Sequence, residues 1–153
     1  MHPNFDLSDC YTIQGKLALP YTYFAGSVGS IFLTTLRDRR KIMGIKCHTC
    51  GKVFVPPRQT CERCLEDIRD QWVELGDTGT LENFTVVRYA DRHLPRRPPF
   101  VLGLIRLDGA DTPLLHLVAG VVVDRVAEGL RVRAVFAAQP ENTILGIDHF
   151  QPL

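Results

Sequence analysis

The chain has 153 residues, 45% of them hydrophobic, and its charges nearly balance, with 18 Lys and Arg against 17 Asp and Glu. This length allows one modest core, or a small metal-binding module beside one small domain, and the hydrophobic content excludes a disordered chain. The charge balance disfavours a general nucleic-acid binder, which is more often clearly basic. The most apolar stretch, residues 114–123, is interrupted by His116 and is too short to cross a bilayer.

The N-terminal stretch, residues 1–19, shows no regular pattern, and its Pro3 and Gly15 favour irregular structure. It has no basic region followed by an apolar run, so we expect no secretory signal. We expect Cys10 to be a free thiol, because no nearby His or Asn pattern supports a nucleophile.

Residues 20–40 favour a helical segment. Apolar side chains recur at the spacing of one helix face at Val28, Ile31, Phe32 and Leu36. Because Gly26 and Gly29 weaken a single long helix, we predict two short helices that form an N-terminal helical hairpin.

Two short features flank this segment. Three aromatic residues, Tyr21, Tyr23 and Phe24, lie at its start, and they either pack on the domain behind or dock on a partner or ligand.

At its end, residues 37–41 form a basic turn. This turn is either solvated surface or an anion site, since the planar guanidinium of Arg suits phosphate. A short strand is predicted over residues 41–46.

Four cysteines form two Cys-x-x-Cys pairs, Cys47 with Cys50 and Cys61 with Cys64. A tetrahedral zinc ion takes four thiolates, and two short knuckles that face each other supply that geometry. The stretch between the pairs, residues 51–60, is long enough for a short hairpin that returns the second pair to the first. Two disulfides or a redox Cys-x-x-Cys are the alternatives, but matched pairs at this spacing predict one closed, structural zinc site. A reduced zinc–thiolate site fits the cytoplasm.

The C-terminal half has the pattern of a small barrel. Turns at Gly76, Gly109 and Gly129 separate runs rich in β-forming residues, and residues 130–136 alternate as a strand with one wet face does. The predicted strands span residues 80–89, 100–107, 114–123, 131–137 and 143–150. Five short strands without a long helix predict a small closed β-barrel of the OB type.

The longest connection between these strands, residues 90–99, holds three prolines and three arginines. We expect it to be extended, exposed and basic, and either a ligand-binding loop, as is common in OB barrels, or a solvated one. The chain is therefore predicted to be mainly β, with three regions. They are an N-terminal extension with the helical hairpin (residues 1–40), a rubredoxin-like four-cysteine zinc ribbon (41–72) and a five-stranded OB-fold barrel (73–153).

This order of regions, with several stretches of sequence, resembles the acyl-CoA-associated zinc-ribbon/OB-fold proteins. The most specific stretch is Cys-Gly-x-x-x-x-Pro-Pro-Arg, which ends at Arg58. The others are residues 20–26, 61–64, 72–87 and 99–109. The resemblance covers residues 20–153. One departure stands at the second knuckle, where Glu62 and Arg63 replace the Pro or Ser of many members, so the surface there is not defined by the resemblance.

The resemblance implies a non-catalytic partner of acyl-CoA enzymes, in a hetero-oligomer with a thiolase-fold catalytic subunit, a retro-aldolase acting on CoA thioesters or a hot-dog-fold hydratase. It also implies that the barrel and the N-terminal helices contact the partner and the CoA ester. One subset is the small subunit of a two-component thiolase of anaerobic aromatic breakdown, which cleaves an aromatic 3-oxoacyl-CoA such as benzoylsuccinyl-CoA. The aromatic segment before the helix and the sequence of residues 41–47 favour this subset.

The residues themselves support an accessory role, because the sequence offers no nucleophile with both a base and an oxyanion site. A zinc ion held by four cysteines has no open position to activate water, and mid-strand His116 is expected to be structural. CoA carries phosphates that Arg and Lys bind, and the candidates for that contact are Arg58, Arg39, Arg40, Lys41, Arg96 and Arg97. Arg58 is equally a candidate for a structural tie between ribbon and barrel.

Two other classes stay open. OB folds and zinc ribbons both bind single-stranded nucleic acid through aromatic rings in a positive groove, and Phe84, Tyr89 and Phe100 are the candidate rings. The near-neutral charge and the aromatic content of 8% weigh against this class. A stand-alone enzyme is the third class, and it would turn over an acyl-CoA without a partner.

Overall fold

The computed structural model describes residues 13, 15, 19 and 21–153. It confirms a mainly β fold with a small ribbon sheet and a five-stranded barrel, and it shows one α-helix among these residues. Cys10, expected to be a free thiol, lies outside the described residues. Within the described part of the chain, no helix is long and apolar enough to cross a membrane.

Helix α1 runs without interruption over Gly26–Arg39. The prediction of a helical hairpin is therefore wrong for the described residues, which form this one α-helix. Gly29 lies inside the helix without a left-handed φ, and an interior glycine costs only about 1 kcal/mol relative to alanine. Burial of Val28, Phe32 and Leu36 along one face outweighs that cost, because each such side chain stabilises by about 1.5–3 kcal/mol.

A three-stranded antiparallel sheet carries the two cysteine pairs. Its strands are β1 (Ile42–Lys46), β2 (Val53–Phe54) and β3 (Trp72–Leu75), in the order β2-β1-β3. The strand predicted over residues 41–46 is confirmed as β1. The prediction of a hairpin within residues 51–60 is wrong, because β2 pairs with β1 across the first cysteine pair and not with its own segment.

The remaining strands are β4 (Thr78–Val87), β5 (Phe100–Leu107), β6 (Leu114–Val118), β7 (Arg131–Phe136) and β8 (Ile147–Pro152). They close into a barrel in the order β4-β5-β6-β8-β7. β4 pairs with both β5 and β7, and β6 runs parallel to β8. This closure confirms the predicted OB-type barrel.

Four of the five predicted strands have different limits. The strands predicted over residues 80–89 and 131–137 are shifted or shortened by one or two residues, to Thr78–Val87 and Arg131–Phe136. The strand predicted over residues 114–123 ends at Val118, because Gly120 turns the chain with a left-handed φ of 71°. The strand predicted over residues 143–150 begins only at Ile147, because a 3-10 turn, Ile144–Gly146, precedes it.

Helix α1 packs against both domains. Val28 belongs to the buried cluster of the ribbon, whereas Phe32 and Leu36 belong to the larger cluster inside the barrel. Leu36 packs so closely on Gly146 that a Cβ there would lie 3.2 Å from the Leu36 Cγ. One helix face therefore contributes to two cores and holds them together.

Hydrogen bonds also fasten β2 to the loop between β5 and β6. The Val53 N–H donates to Asp111 Oδ2 at 2.8 Å, and the Asp111 N–H donates back to the Val53 carbonyl at 2.9 Å. The Val55 N–H donates to Thr112 Oγ1 at 2.8 Å, and that hydroxyl donates to the Val55 carbonyl at 3.0 Å. The ribbon therefore has a defined orientation on the barrel.

Gly79 lies where β4 pairs with β5 and β7 at once, opposite Leu107 and Val132. A Cβ at this position would lie 2.5 Å from the Arg106 carbonyl oxygen and 3.0 Å from the Leu107 Cα. These are backbone atoms of a paired strand, so they cannot move aside without opening the pairing. Glycine at this position lets the barrel close.

We expect Gly79→Ala to lower the free energy of unfolding by about 1–3 kcal/mol, because overpacking against the backbone forces the strands apart. Urea unfolding followed by circular dichroism measures this change. Gly76→Ala is the matched control, since the nearest atom to its Cβ is the Thr78 nitrogen at 4.0 Å, and we expect a change within about 0.5 kcal/mol. Equal stability of the Gly79→Ala and parent proteins would contradict the role given to Gly79.

Candidate metal centre and basic surfaces

Each cysteine pair lies in a tight turn with the same backbone hydrogen bond. The Gly51 N–H donates to the Cys47 carbonyl at 2.8 Å, and the Leu65 N–H donates to the Cys61 carbonyl at 2.9 Å. The residue after each pair has a left-handed φ, 75° at Gly51 and 59° at Leu65. Both pairs are therefore knuckles of one local geometry, although the second lacks the usual glycine.

The two knuckles bring four sulfur atoms within 4.8 Å of one another. The four cysteines are free thiols, and the Sγ atoms of Cys50 and Cys61 lie 3.7 Å apart, far beyond the roughly 2.05 Å of a disulfide. The alternative of two disulfides is therefore wrong. Thiolates at about 2.3 Å from a tetrahedral metal ion are roughly 3.8 Å from one another, so this separation fits a four-thiolate metal site.

The sulfur cluster does not favour four thiolates on its own. The backbone N–H groups of Cys50 and Thr49 lower the pKa of Cys47 to about 6. Burial, together with hydrogen bonds among the sulfurs, raises the pKa of Cys64 to about 12. A divalent cation compensates the negative charge that four neighbouring thiolates would carry. Soft thiolate donors suit zinc and iron. The residues present therefore fit a bound metal ion.

The site is closed on its inner side. Cys47 and Cys61 are buried, and Cys50 and Cys64 are half-buried. Apolar side chains pack against the sulfurs from the ribbon and from helix α1, namely Val28, Ile45, Phe54, Ile68 and Trp72. Four sulfur ligands fill a tetrahedral shell, so no position is left for water or substrate.

Glu62, where the chain departs from the family pattern, links the two knuckles. Its carboxylate accepts hydrogen bonds from Lys52 and from Arg58, the latter at 2.8 Å, and Lys52 lowers the pKa of Glu62. The Arg58 guanidinium also lies 4.6 Å from the centre of the Phe54 ring. Sequence reasoning missed this arrangement, although the spacing of four residues between Arg58 and Glu62 was visible.

The six basic residues considered for CoA lie in three separate places, which are the ribbon, the end of α1 and the barrel. Arg58 is the one at the ribbon. Arg39 is exposed at the end of α1, and the left-handed residue Arg40 caps the helix at φ 52°. Arg40 and Lys41 border a cleft of about 240 Å³, where Lys41 forms an ion pair with Glu74 at 2.7 Å.

The third place is a cleft of about 300 Å³ lined by Arg96 and Arg97. Phe100 and Leu117 contribute to its apolar wall. Arg96 forms an ion pair with Asp148 of β8 at 2.5 Å, so its guanidinium is already engaged. Among the described residues, Arg97 forms no ion pair, which leaves its charge available to a ligand in the cleft.

His116 lies inside the barrel, with 3% of its surface exposed. Its Nε2 is 3.1 Å from the Ile144 carbonyl oxygen, and its ring meets the Phe150 ring edge-on at 5.6 Å. Burial lowers the pKa of His116, so the ring is neutral at pH 7. These contacts agree with the structural role expected for this histidine.

The three rings considered for nucleic-acid stacking do not form one exposed platform. Phe100 is buried, and Phe84 is partly buried against the barrel core. Tyr89 is exposed, at 67%. A stacking surface needs several exposed rings in a positive groove, so this arrangement gives no support to single-strand binding.

Two family models match the chain. One, described as the ChsH2 rubredoxin-like zinc ribbon domain, matches residues 35–68, and the other, described as the ChsH2 C-terminal OB-fold domain, matches residues 72–137. A DUF35 domain-containing scaffold protein of Methanocaldococcus jannaschii is 27% identical over 111 residues, which are 70% of this chain and 75% of that protein.

Two solved structures share the fold. A DUF35-family protein of unknown function from Sulfolobus solfataricus has a TM-score of 0.64 and 26% identity, over 84% of this chain and 87% of that one. An Ltp2-ChsH2(DUF35) aldolase chain has a TM-score of 0.65 and 20% identity, over 83% of this chain and 95% of that one. At this lower identity the second structure shows a shared fold.

The ribbon, the sulfur cluster and the closed barrel define a zinc-ribbon and OB-fold protein. The chain thus carries a ChsH2-like zinc ribbon followed by a ChsH2-like OB-fold domain, and it is similar to proteins of the DUF35 family.

We expect Cys61→Ser to lose bound zinc and to unfold or aggregate, because a four-cysteine site contributes folding free energy directly. Mass-spectrometric metal analysis and circular dichroism measure the two effects. Cys10→Ser is the matched control, since Cys10 belongs to neither pair, and we expect it to keep one zinc ion per chain. A fully folded, metal-free Cys61→Ser protein would show that the fold does not need the metal.

Proposed function

We propose that the chain is a non-catalytic, zinc-binding accessory subunit of an acyl-CoA-processing complex. The observation that carries this proposal is the pairing of both ChsH2-type domains in one chain. Two relatives support it, since one is named a scaffold protein and the other is named, together with Ltp2, as an aldolase.

The proposed metal is one structural zinc ion bound by Cys47, Cys50, Cys61 and Cys64. Four thiolates close the shell, so the ion cannot act as a Lewis acid on a thioester without losing a ligand. Its role is to hold the two knuckles together. The reaction therefore takes place on residues of another chain.

For the partner, we propose a thiolase-fold catalytic subunit that cleaves an aromatic 3-oxoacyl-CoA such as benzoylsuccinyl-CoA. The sequence of residues 41–47 and the aromatic segment before α1 support this choice. A CoA-ester aldolase is the second candidate, and the structural relative named as an aldolase favours it. Both reactions break a carbon–carbon bond of a CoA thioester, so both use the same kind of accessory surface.

A contact with CoA fits the barrel cleft better than the ribbon or the end of α1. Arg58 is held by Glu62 and by the Phe54 ring, which supports its alternative role as a structural tie. Lys41 is paired with Glu74. The cleft offers Arg97 beside an apolar wall, and a cation next to apolar surface suits a nucleotide phosphate.

We expect the chain, purified at native levels from its own cells, to bring with it an enzyme of acyl-CoA metabolism in a fixed ratio. Affinity capture followed by mass spectrometry and sizing of the intact complex is the test. Recovery of a thiolase-fold protein supports the first candidate, and recovery of an aldolase supports the second. Capture of the chain alone, or with nucleic acid, would contradict an accessory role.

We expect Arg97→Ala to weaken binding of CoA to the intact complex by about tenfold or more, because a hydrogen bond to a charged group contributes about 1.5–3 kcal/mol. Isothermal titration with CoA measures the affinity. Arg58→Ala is the comparison, and we expect it to change the affinity by less than about threefold while lowering the stability of the ribbon. A larger effect at Arg58 than at Arg97 would contradict the choice of cleft.

A further inference from the structure

Three aromatic rings before helix α1 are exposed to an unusual degree. Tyr21 is 78% exposed, Tyr23 is 76% exposed and Phe24 is 86% exposed. The two tyrosine rings lie 5.9 Å apart. Of the two interpretations that the sequence left open, packing on the domain behind is therefore wrong, because none of these three rings is buried.

The segment that carries the rings, Tyr21 to Phe24, is connected directly to a fixed part of the fold. Helix α1 starts at Gly26, and its first buried side chain, Val28, packs in the ribbon cluster. Phe32, one turn later, packs in the barrel cluster. The rings therefore directly precede the helix that packs against both domains.

The same region of sequence is free of charge. Residues 17–36 contain no Asp, Glu, Lys, Arg or His, although charged residues make up 23% of the chain. Ile31 adds an exposed apolar side chain on the outer face of α1, at 46%. Enrichment in aromatic residues and depletion of charge are what distinguish the centre of a protein–protein interface from the remaining surface.

We propose that Tyr21, Tyr23 and Phe24 dock into an uncharged apolar groove of the catalytic subunit. This inference rests on the proposed function, and it adds which surface of the chain makes the contact. The rings provide large buried area at a low cost in side-chain entropy, and they anchor the partner next to the junction of ribbon and barrel.

The absence of charged residues helps to distinguish between the kinds of partner that could bind the three rings. Attraction to an anionic membrane surface requires Lys or Arg beside the apolar residues, and residues 17–36 have neither. Stacking on nucleic acid requires a positive groove around the rings, which this region lacks for the same reason. Of these three kinds of occupant, an uncharged groove on a protein is the one that fits the absence of charge.

Site-specific crosslinking tests the contact in the complete complex. A photoreactive p-benzoylphenylalanine replaces Phe24 in one version of the chain and Tyr89 in the other, since Tyr89 is a similarly exposed aromatic residue, at 67%, on the barrel. We expect a crosslink from position 24 to the same catalytic enzyme that co-purifies with the chain, and at least tenfold less from position 89. Crosslinks from position 24 to lipid or to a second copy of the chain, or equal yields from both positions, would overturn the proposal.

The combined substitution Tyr21→Ser, Tyr23→Ser and Phe24→Ser measures the strength of the contact. We expect the affinity for the catalytic subunit to fall at least about 30-fold, because truncating a central aromatic residue of an interface commonly costs about 2 kcal/mol or more. Zinc content and unfolding should match the parent chain, since the rings are exposed. Tyr89→Ser is the control, with unchanged affinity expected.

The result separates this inference from the proposed function. If the parent chain brings down no acyl-CoA enzyme, the proposed function fails. If it does, and the complex survives the triple substitution with unchanged affinity, the proposed function stands and the docking inference is wrong.

Discussion

The fold depends on four thiols held within 4.8 Å of one another. The ribbon has only a small buried cluster, and two of its members are cysteines, Cys47 and Cys61. The burial and mutual hydrogen bonding that raise the pKa of Cys64 to about 12 oppose full ionisation of the cluster in the absence of a cation. A metal ion removes this conflict and joins the two knuckles.

The ribbon that holds the four thiols is connected to the rest of the molecule in two ways. β1 supports β3, which leads directly into the barrel, and β2 is hydrogen-bonded to the loop between β5 and β6 through Asp111 and Thr112. Helix α1 adds a second connection, since its buried face belongs to both cores. The aromatic segment that we propose as the docking surface directly precedes this helix.

Local chemistry made much of this fold predictable from sequence. β5 was predicted with its observed limits, because its residues favour strands and the turn at Gly109 marks its end. The cysteine pairs could be assigned to one site because ligand spacing is a local property. The helical hairpin was predicted wrongly because one face of α1 is buried in two cores built from distant parts of the chain. The hairpin within residues 51–60 was predicted wrongly because β2 pairs with β1, which precedes the first cysteine pair, and not with its own segment.

The basic residues show more clearly that the sequence does not reveal which residues meet in the folded chain. The sequence puts Arg58, which carries the family resemblance, ahead of Arg97 as a phosphate ligand, but Arg58 contacts Glu62 and Phe54 in the folded chain, whereas Arg97 lines a cleft. Composition cannot separate a cation that holds the fold together from one that faces a ligand. The folded chain gives Arg58 an acidic and an aromatic partner and buries Phe100, and neither outcome is visible in the sequence.

The most direct test of the account is a reconstitution of activity from purified parts. The chain and its co-purifying catalytic subunit are assayed separately and together on the CoA thioester that the complex cleaves, with acyl-CoA consumption followed by mass spectrometry. We expect no turnover by this chain alone and a large gain when it is added to the catalytic subunit. Turnover by the isolated chain would contradict its non-catalytic role, and full activity of the catalytic subunit alone would contradict the need for an accessory subunit.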